Sequence, residues 1–223
     1  MELSPIIISF QTAMLSIVLT FFSGTLIAYF VFRLKNHGLK ILFNSLFTLP
    51  LVLPPTVFGF FLLDIFGVQQ PIGKFLLDFF AVKVVFSWTA TVIAAVAVSF
   101  PLMYRSAIAA FEQIEPDLFA AAQTLGFSEK KIFFKIALPL ALNGLLAGGV
   151  LAFARGLGEF GATTMLAGNI AGKTRTLPLA IYSAVAAGDW SLAQNYVTVI
   201  VVICLLMLFL TELFSRNARR RQL

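Results

Sequence analysis

Apolar residues run through this chain in long blocks, and the charged residues fall almost wholly between them. Five blocks reach about 20 residues, the length at which a helix crosses the hydrocarbon core of a bilayer. They cover residues about 8–32, 44–66, 84–104, 137–160 and 194–214. In hydrocarbon every backbone N–H and C=O needs a partner within the chain, so such blocks predict helices and an all-α integral membrane fold. Residues about 115–136, between the third and fourth blocks, are polar and break the pattern. Pro116 suits the first turn of a helix and Gly126 the left-handed position that ends one. Ser128 can cap a second short helix through Lys130, Lys131 and Lys135. Ala120, Ala121 and Ala122 present almost no side chain, so the backbone of another protein can approach closely. The stretch reads as a docking element made of two short helices.

Composition strengthens the membrane reading. The chain has 223 residues, of which 60% are hydrophobic and 12% charged, and its mean hydropathy is +0.96. The net charge of +6 comes from basic residues clustered beside the apolar blocks, which positive-inside retention explains without nucleic acid. Arg33, Lys35, Lys40, Arg105, Lys130, Lys131, Lys135 and the tail Arg216, Arg219, Arg220 and Arg221 lie on one side of the predicted spans. Lys74, Lys83, Lys173 and Arg175 lie on the other. This asymmetry predicts an outside N-terminus, a cytoplasmic C-terminus and a cytoplasmic docking loop. The start, Met1 to Pro5, is acidic and runs into an apolar block too long for a cleavable signal. Cys204 has no second cysteine to pair with, so cysteine usage gives no redox compartment. Without repeats or linkers, residues 1–223 are expected to form one transmembrane domain.

Two glycine motifs resemble nucleotide sites and fail on context. Gly168 to Thr174 reads G-x-x-x-G-K-T, one residue short of a phosphate loop, and follows a membrane span where that motif needs a strand. Gly156, Gly158 and Gly161 match G-x-G-x-x-G, but no βαβ pattern surrounds them, and close helix packing is the better account. No His, Cys, Asp and Glu cluster has metal-ligand spacing, and His37 sits alone in a short basic loop. The chain is expected to be no enzyme and to bind no cofactor or metal.

Polar and proline features inside the spans are the remaining candidates. Pro50, Pro54 and Pro55 remove helix hydrogen bonds in the second span and free carbonyls, giving either a kinked packing helix or a segment lining a pathway. Arg155 and Glu159 are i,i+4 on the fourth span, where they form either a structural ion pair or a charge beside an anion route. Thr56, Thr163 and Thr164 offer hydroxyls near these positions.

The docking stretch resembles a known family. Ala120-Ala121-Ala122, three residues, Gly126, nine residues and Ile136-x-Leu138-Pro139 are similar to the E-A-A-x3-G-x9-I-x-L-P loop of ABC importer permeases, with Ala120 where that pattern has Glu. The resemblance implies that Ala120, Ala121, Ala122, Gly126, Ile136, Leu138 and Pro139 couple the chain to a cytoplasmic ATPase. Residues 49–59, 99–106, 151–170 and 172–182 further resemble the molybdate permease (ModB) family, the segment 172–182 being the most discriminating. Residues 153–162 also resemble sulfate permeases. The implied assembly has two copies of this chain, two ABC ATPase subunits that use ATP and Mg, and an extracytoplasmic molybdate-binding protein, set in membrane lipid of a bacterial inner membrane. The implied mechanism is alternating access. In it Pro54, Pro55, Thr56, Arg155, Glu159, Thr163 and Thr164 are candidates for the pathway or gate, and molybdate, with tungstate chemically close, is the cargo.

A sulfate-type oxyanion permease is the nearest alternative. A secondary transporter would more often carry internal repeats and intramembrane carboxylates. Here Asp64, Asp78, Glu159 and Asp189 fall at or beyond the predicted span ends. A bare membrane scaffold would need neither a broken helix nor paired charges.

Overall fold

The computed structural model describes residues 2–220, with side chains through residue 209. The basic tail Arg216, Arg219, Arg220 and Arg221, read above as a positive-inside anchor, therefore lies outside the described side chains. The described residues are helical throughout, with α1 (Ser4–Arg33), α2 (His37–Val52), α3 (Pro55–Phe66), α4 (Pro71–Phe80), α5 (Trp88–Glu112) and α6 (Pro116–Thr124) in the first part. They continue with α7 (Glu129–Ile132), a π-helical segment (Phe133–Ala137), α8 (Leu138–Leu157), α9 (Gly161–Leu166), α10 (Leu177–Ala186) and α11 (Trp190–Arg220). Four helices are long and apolar enough to cross a membrane, and the α2–α3 pair makes a fifth candidate.

That pair is the second span, interrupted as its prolines predict but bent far more sharply than a kink. The helix starts earlier, at His37, and α2 and α3 meet at a bend of 113°. Each residue before a proline is pushed out of the helical region by the following ring. Leu53 precedes Pro54 and Pro54 precedes Pro55, so two successive residues are extended, with ψ of 138° and 135°. Pro50 lacks such a tandem neighbour and stays inside α2.

The fourth span also differs from expectation. The second docking helix is no separate element: α7, the π segment and α8 form one helix, Glu129–Leu157. Pro139 has no N–H to give the carbonyl of Lys135, and its ring would crowd that carbonyl in an α-helical turn. One wide turn absorbs the mismatch, and the Leu138 N–H reaches back to the carbonyl of Phe133.

The centre of the bundle is α1, α5 and α8. Helices attract poorly through apolar area alone in lipid, so close approach over small residues decides packing. Gly144, Gly148, Ala152 and Gly156 recur every fourth residue and form that seam on α8. A Cβ at Gly144 would stand 2.7 Å from Cβ of Ala110 on α5, and one at Gly156 would stand 3.0 Å from Oγ of Ser16 on α1. The buried hydroxyls of Thr12 and Thr91 tie α1 to α5 at 2.8 Å. Near the start of α1, the Ser9 hydroxyl accepts the N–H of Leu177 at 2.6 Å and so caps α10 from another element.

Candidate functional site

The docking stretch forms a compact end to the bundle. Pro116 occupies the first turn of α6, and Gly126 follows its end with φ +75°. The Gly126 and Phe127 N–H groups return to the carbonyls of Gln123 and Ala122, satisfying groups that the helix end leaves open. The Ser128 hydroxyl accepts the N–H of Lys131 at 3.4 Å, the expected cap. Ala120 and Ala121 are exposed and leave a bare surface. Ala122 does not belong to it: together with Phe119 it is buried against the α1–α5 core. Ile136 and Leu138 pack partly into the same core, while Pro139 is exposed at the wide turn.

A carboxylate that the sequence motif does not include holds this end together. Glu129 accepts hydrogen bonds from Arg33 Nη2 at 2.5 Å and Nε at 3.2 Å, so the guanidinium grips it with two donors. Tyr29 Oη and Gln123 Nε2 each reach it at 3.4 Å. The Arg33 guanidinium also lies over the Phe119 ring, 5.3 Å from its centre. One side chain at the start of α7 thereby gathers the last turns of α1 and the exposed face of α6. Arg33 draws Glu129 below its ordinary carboxylate range by hydrogen bonding, against partial burial that raises it. Glu129 precedes the apolar part of its helix, which begins at Ile132, and so stands outside the hydrocarbon-facing stretch. Arg33 lies 96 residues away, and no local spacing signals such a pair.

The pathway candidates gather where two helices are broken. At the first break Pro54, Pro55 and Thr56 are exposed around the start of α3. At the second, α8 ends at Leu157, and Gly158 to Phe160 lead into α9. The breaks touch: a Cβ on Gly161 would stand 2.7 Å from Cβ of Pro55, and one on Gly59 would stand 2.9 Å from Cα of Ala162. Only glycine at these positions lets α3 and α9 lie backbone to backbone.

Arg155 and Glu159 do pair, at 2.8 Å, but Glu159 lies beyond the end of α8, so the two are not neighbours on one helical face. Its carboxylate has a second task, accepting the Ala162 N–H at 2.6 Å in the first turn of α9. The Glu159 side chain is 2% exposed and that of Arg155 33%. An anionic side chain at a helix start satisfies donors that the helix leaves open. Thr163 is buried and Thr164 is exposed. The Thr164 hydroxyl donates to the carbonyl of Phe160 at 2.6 Å, so its proton is already committed.

The glycine motifs receive structural work. In Gly168 to Thr174, the N–H groups of Lys173, Thr174 and Arg175 all turn to the Ile170 carbonyl, and the Thr174 hydroxyl accepts the Ile170 N–H at 3.0 Å. These four donors are turned inward, whereas a phosphate loop aims its N–H groups at a ligand. Gly156 and Gly161 serve the close packing described above. Among the described residues no group of three or more His, Cys, Asp and Glu is placed to hold a metal.

Four long apolar helices, a fifth broken one and a compact polar end with a bare two-alanine face define a multi-pass membrane protein of the permease class. Residues 20–222 match the family described as binding-protein-dependent transport system inner membrane component, and the chain belongs to that family of inner-membrane permeases. It is 47% identical over 209 residues to a putative molybdenum transport system permease protein, YvgM of Bacillus subtilis, covering 94% of this chain and 92% of that one. It is 39% identical over 221 residues to the molybdenum transport system permease protein ModB of Escherichia coli K12, covering 99% and 96%. Identity to the sulfate transport system permease protein CysT of Salmonella typhimurium is 37%, over 88% of this chain and 71% of that one. Among solved structures, a bacterial ABC transporter that imports alginate superposes with a TM-score of 0.74 at 15% identity, over 98% of this chain and 79% of that one. The MetNI methionine ABC transporter superposes with a TM-score of 0.67 at 15% identity, over 96% and 92%. These two share the fold.

Proposed function

We propose that this chain is the membrane subunit of an ATP-driven importer of molybdate, with tungstate as a close chemical surrogate. The observation that carries the reading is the end-to-end similarity to molybdenum permeases, joined to a docking end whose bare alanines and left-handed glycine are intact. Two copies form the pathway, two cytoplasmic ATPases engage α6, and an extracytoplasmic binding protein delivers the oxyanion. The N-terminus is outside and α6 is cytoplasmic, a reading that the distribution of basic residues supports. ATP and Mg are used by the ATPases, and this chain binds no cofactor.

The geometry supports alternating access. Closure of the ATPases around α6 moves the polar end of the bundle, and the α1, α5 and α8 core carries that motion toward the two helix breaks. The contact of Pro55 with Gly161 joins the breaks, so one cannot open without the other shifting. A dianion crossing there meets Arg155 as a partly neutralised charge. Full capture by an unpaired cation would slow release, and the Glu159 partner limits it.

The test is uptake in a strain lacking this chain, restored by the chain together with its ATPase, in competition with molybdate, tungstate and sulfate. Suppression by molybdate and tungstate at concentrations where sulfate has no effect is the expected result. Equal suppression by sulfate assigns the chain to sulfate-type oxyanion transport. Failure of an ATPase to copurify overturns the importer reading.

A further inference from the structure

Resting on the importer reading above, we infer that Glu129 and Arg33 form the clasp that transmits movement of α6 to α1, making both residues positioning residues for coupling. Besides the short link of residues 113–115 back to α5, two routes lead from α6 into the bundle. The covalent one runs through Gly126 and Ser128 into α7 and must cross the π-helical segment Phe133–Ala137 before reaching α8. A stretch with widened hydrogen-bond register beside a proline is where a helix bends. Displacement applied at α7 is therefore partly absorbed there.

The second route is direct. The Glu129 carboxylate holds Gln123 of α6 on one side and Arg33 and Tyr29 of α1 on the other. The Arg33 guanidinium is held again on Phe119 of α6, whose ring is buried against α1 and α5. A forked guanidinium–carboxylate pair fixes direction as well as distance, which a single contact does not. Past this end α1 is an unbroken helix to Ser4, packed along α5 and α8, so displacement entering at Arg33 travels along a stiff rod.

The experiment uses the complete importer, permease with ATPase, in proteoliposomes enclosing ATP and Mg, with molybdate and the binding protein outside. Glu129→Gln, and separately Arg33→Gln, should copurify with the ATPase while the molybdate imported per ATP hydrolysed falls about tenfold, the size of an ordinary coupling free energy. The exchange Arg33→Glu with Glu129→Arg should restore most of the ratio, which a loss of folding would not permit. Spin labels at Leu34 and Thr124 supply a readout independent of transport. Their separation should stay constant between the nucleotide-free and ATP-trapped states of the parent complex and change between those states in Glu129→Gln. An unchanged import ratio in Glu129→Gln, or a separation that changes in the parent complex, overturns the clasp while leaving the importer reading intact. Absence of any molybdate import by the parent complex overturns that reading, and the clasp with it.

Discussion

The Glu159 carboxylate lies 2.8 Å from the Arg155 guanidinium and 2.6 Å from the backbone nitrogen of Ala162, so one buried side chain both neutralises a charge and starts a helix. These two duties separate under substitution. Glu159→Gln keeps an acceptor for one donor, whereas Glu159→Leu orphans both, at a cost of about 1–3 kcal/mol for the buried Ala162 N–H and less for the partly exposed Arg155. Assembled protein in the membrane should therefore fall in the order parent, Gln, Leu. The double variant Arg155→Leu with Glu159→Leu should recover only the part due to the stranded charge, because the Ala162 N–H still lacks its acceptor. Full recovery in a thermal-unfolding assay would show that the helix-starting contact carries no weight.

Gly126 offers a cleaner backbone test. At φ +75° a Cβ there would meet no atom within 4 Å, so any penalty is conformational and not steric. Gly126→Val should cost about 1–2 kcal/mol from the left-handed conformation and loosen α6, while Gly126→Asn should be tolerated. Molybdate uptake by the two variants, compared at equal protein in the membrane, reads the difference. Equal defects would mean that bulk, and not backbone geometry, decides at this site.

Gly161 tests the contact between the two breaks. A methyl group there would press on Pro55, and overpacking of this kind costs about 1–3 kcal/mol. Gly161→Ala should lower the unfolding temperature and impair uptake, and Pro55→Gly in the same chain, which removes the opposing Cβ, should relieve part of both effects. Independent, additive effects would mean that α3 and α9 do not bear on each other.

Orientation is checked by labelling. A cysteine at Ser128 should react only with reagents that enter the cytoplasm, and one at Gly172 only with reagents outside. The opposite pattern would reverse the bundle and remove α6 from any ATPase.

The Arg33 hydrogen bonds that hold the Glu129 carboxyl below its ordinary range set the direction of a pH effect. Its contribution to holding α6 is complete above the ordinary carboxylate range and is lost as pH falls through its lowered folded value. A spin label at Thr124 should therefore gain mobility on acidification, and Glu129→Gln should show high mobility at every pH. Mobility that rises with pH in the parent chain would contradict the assignment.

Much of the fold was legible because apolar length alone decides that a segment crosses a bilayer, and four of the five predicted spans coincide with long helices. The α2–α3 bend was only half legible. Three prolines announce trouble, but the tandem constraint on Leu53 and Pro54 is what selects the site of the break. Helices α4, α9 and α10 are too short to register as apolar blocks. The first half of the docking loop was readable from Pro116 and Gly126, whereas the fusion of its second half into α8 depended on how Pro139 is accommodated one turn upstream. Glu129 could not be found in sequence, since its partners lie in an element that folding alone brings near. Glu159 was found, with one of its two roles, because i,i+4 spacing reveals a side-chain pair and says nothing of a backbone nitrogen further along.

The tandem prolines also place a demand on solvent. In an uninterrupted helix the carbonyls of Pro50 and Leu51 would take their hydrogen bonds from residues 54 and 55, and both of those are proline, without N–H. Two acceptors are thus left open in a segment otherwise apolar enough to sit in hydrocarbon. Lipid tails donate nothing, so the break must face water or donors from a neighbouring protein surface. On the importer reading proposed above, hydration of these two acceptors near the meeting of α3 and α9 would spare an arriving dianion the full loss of its own hydration shell.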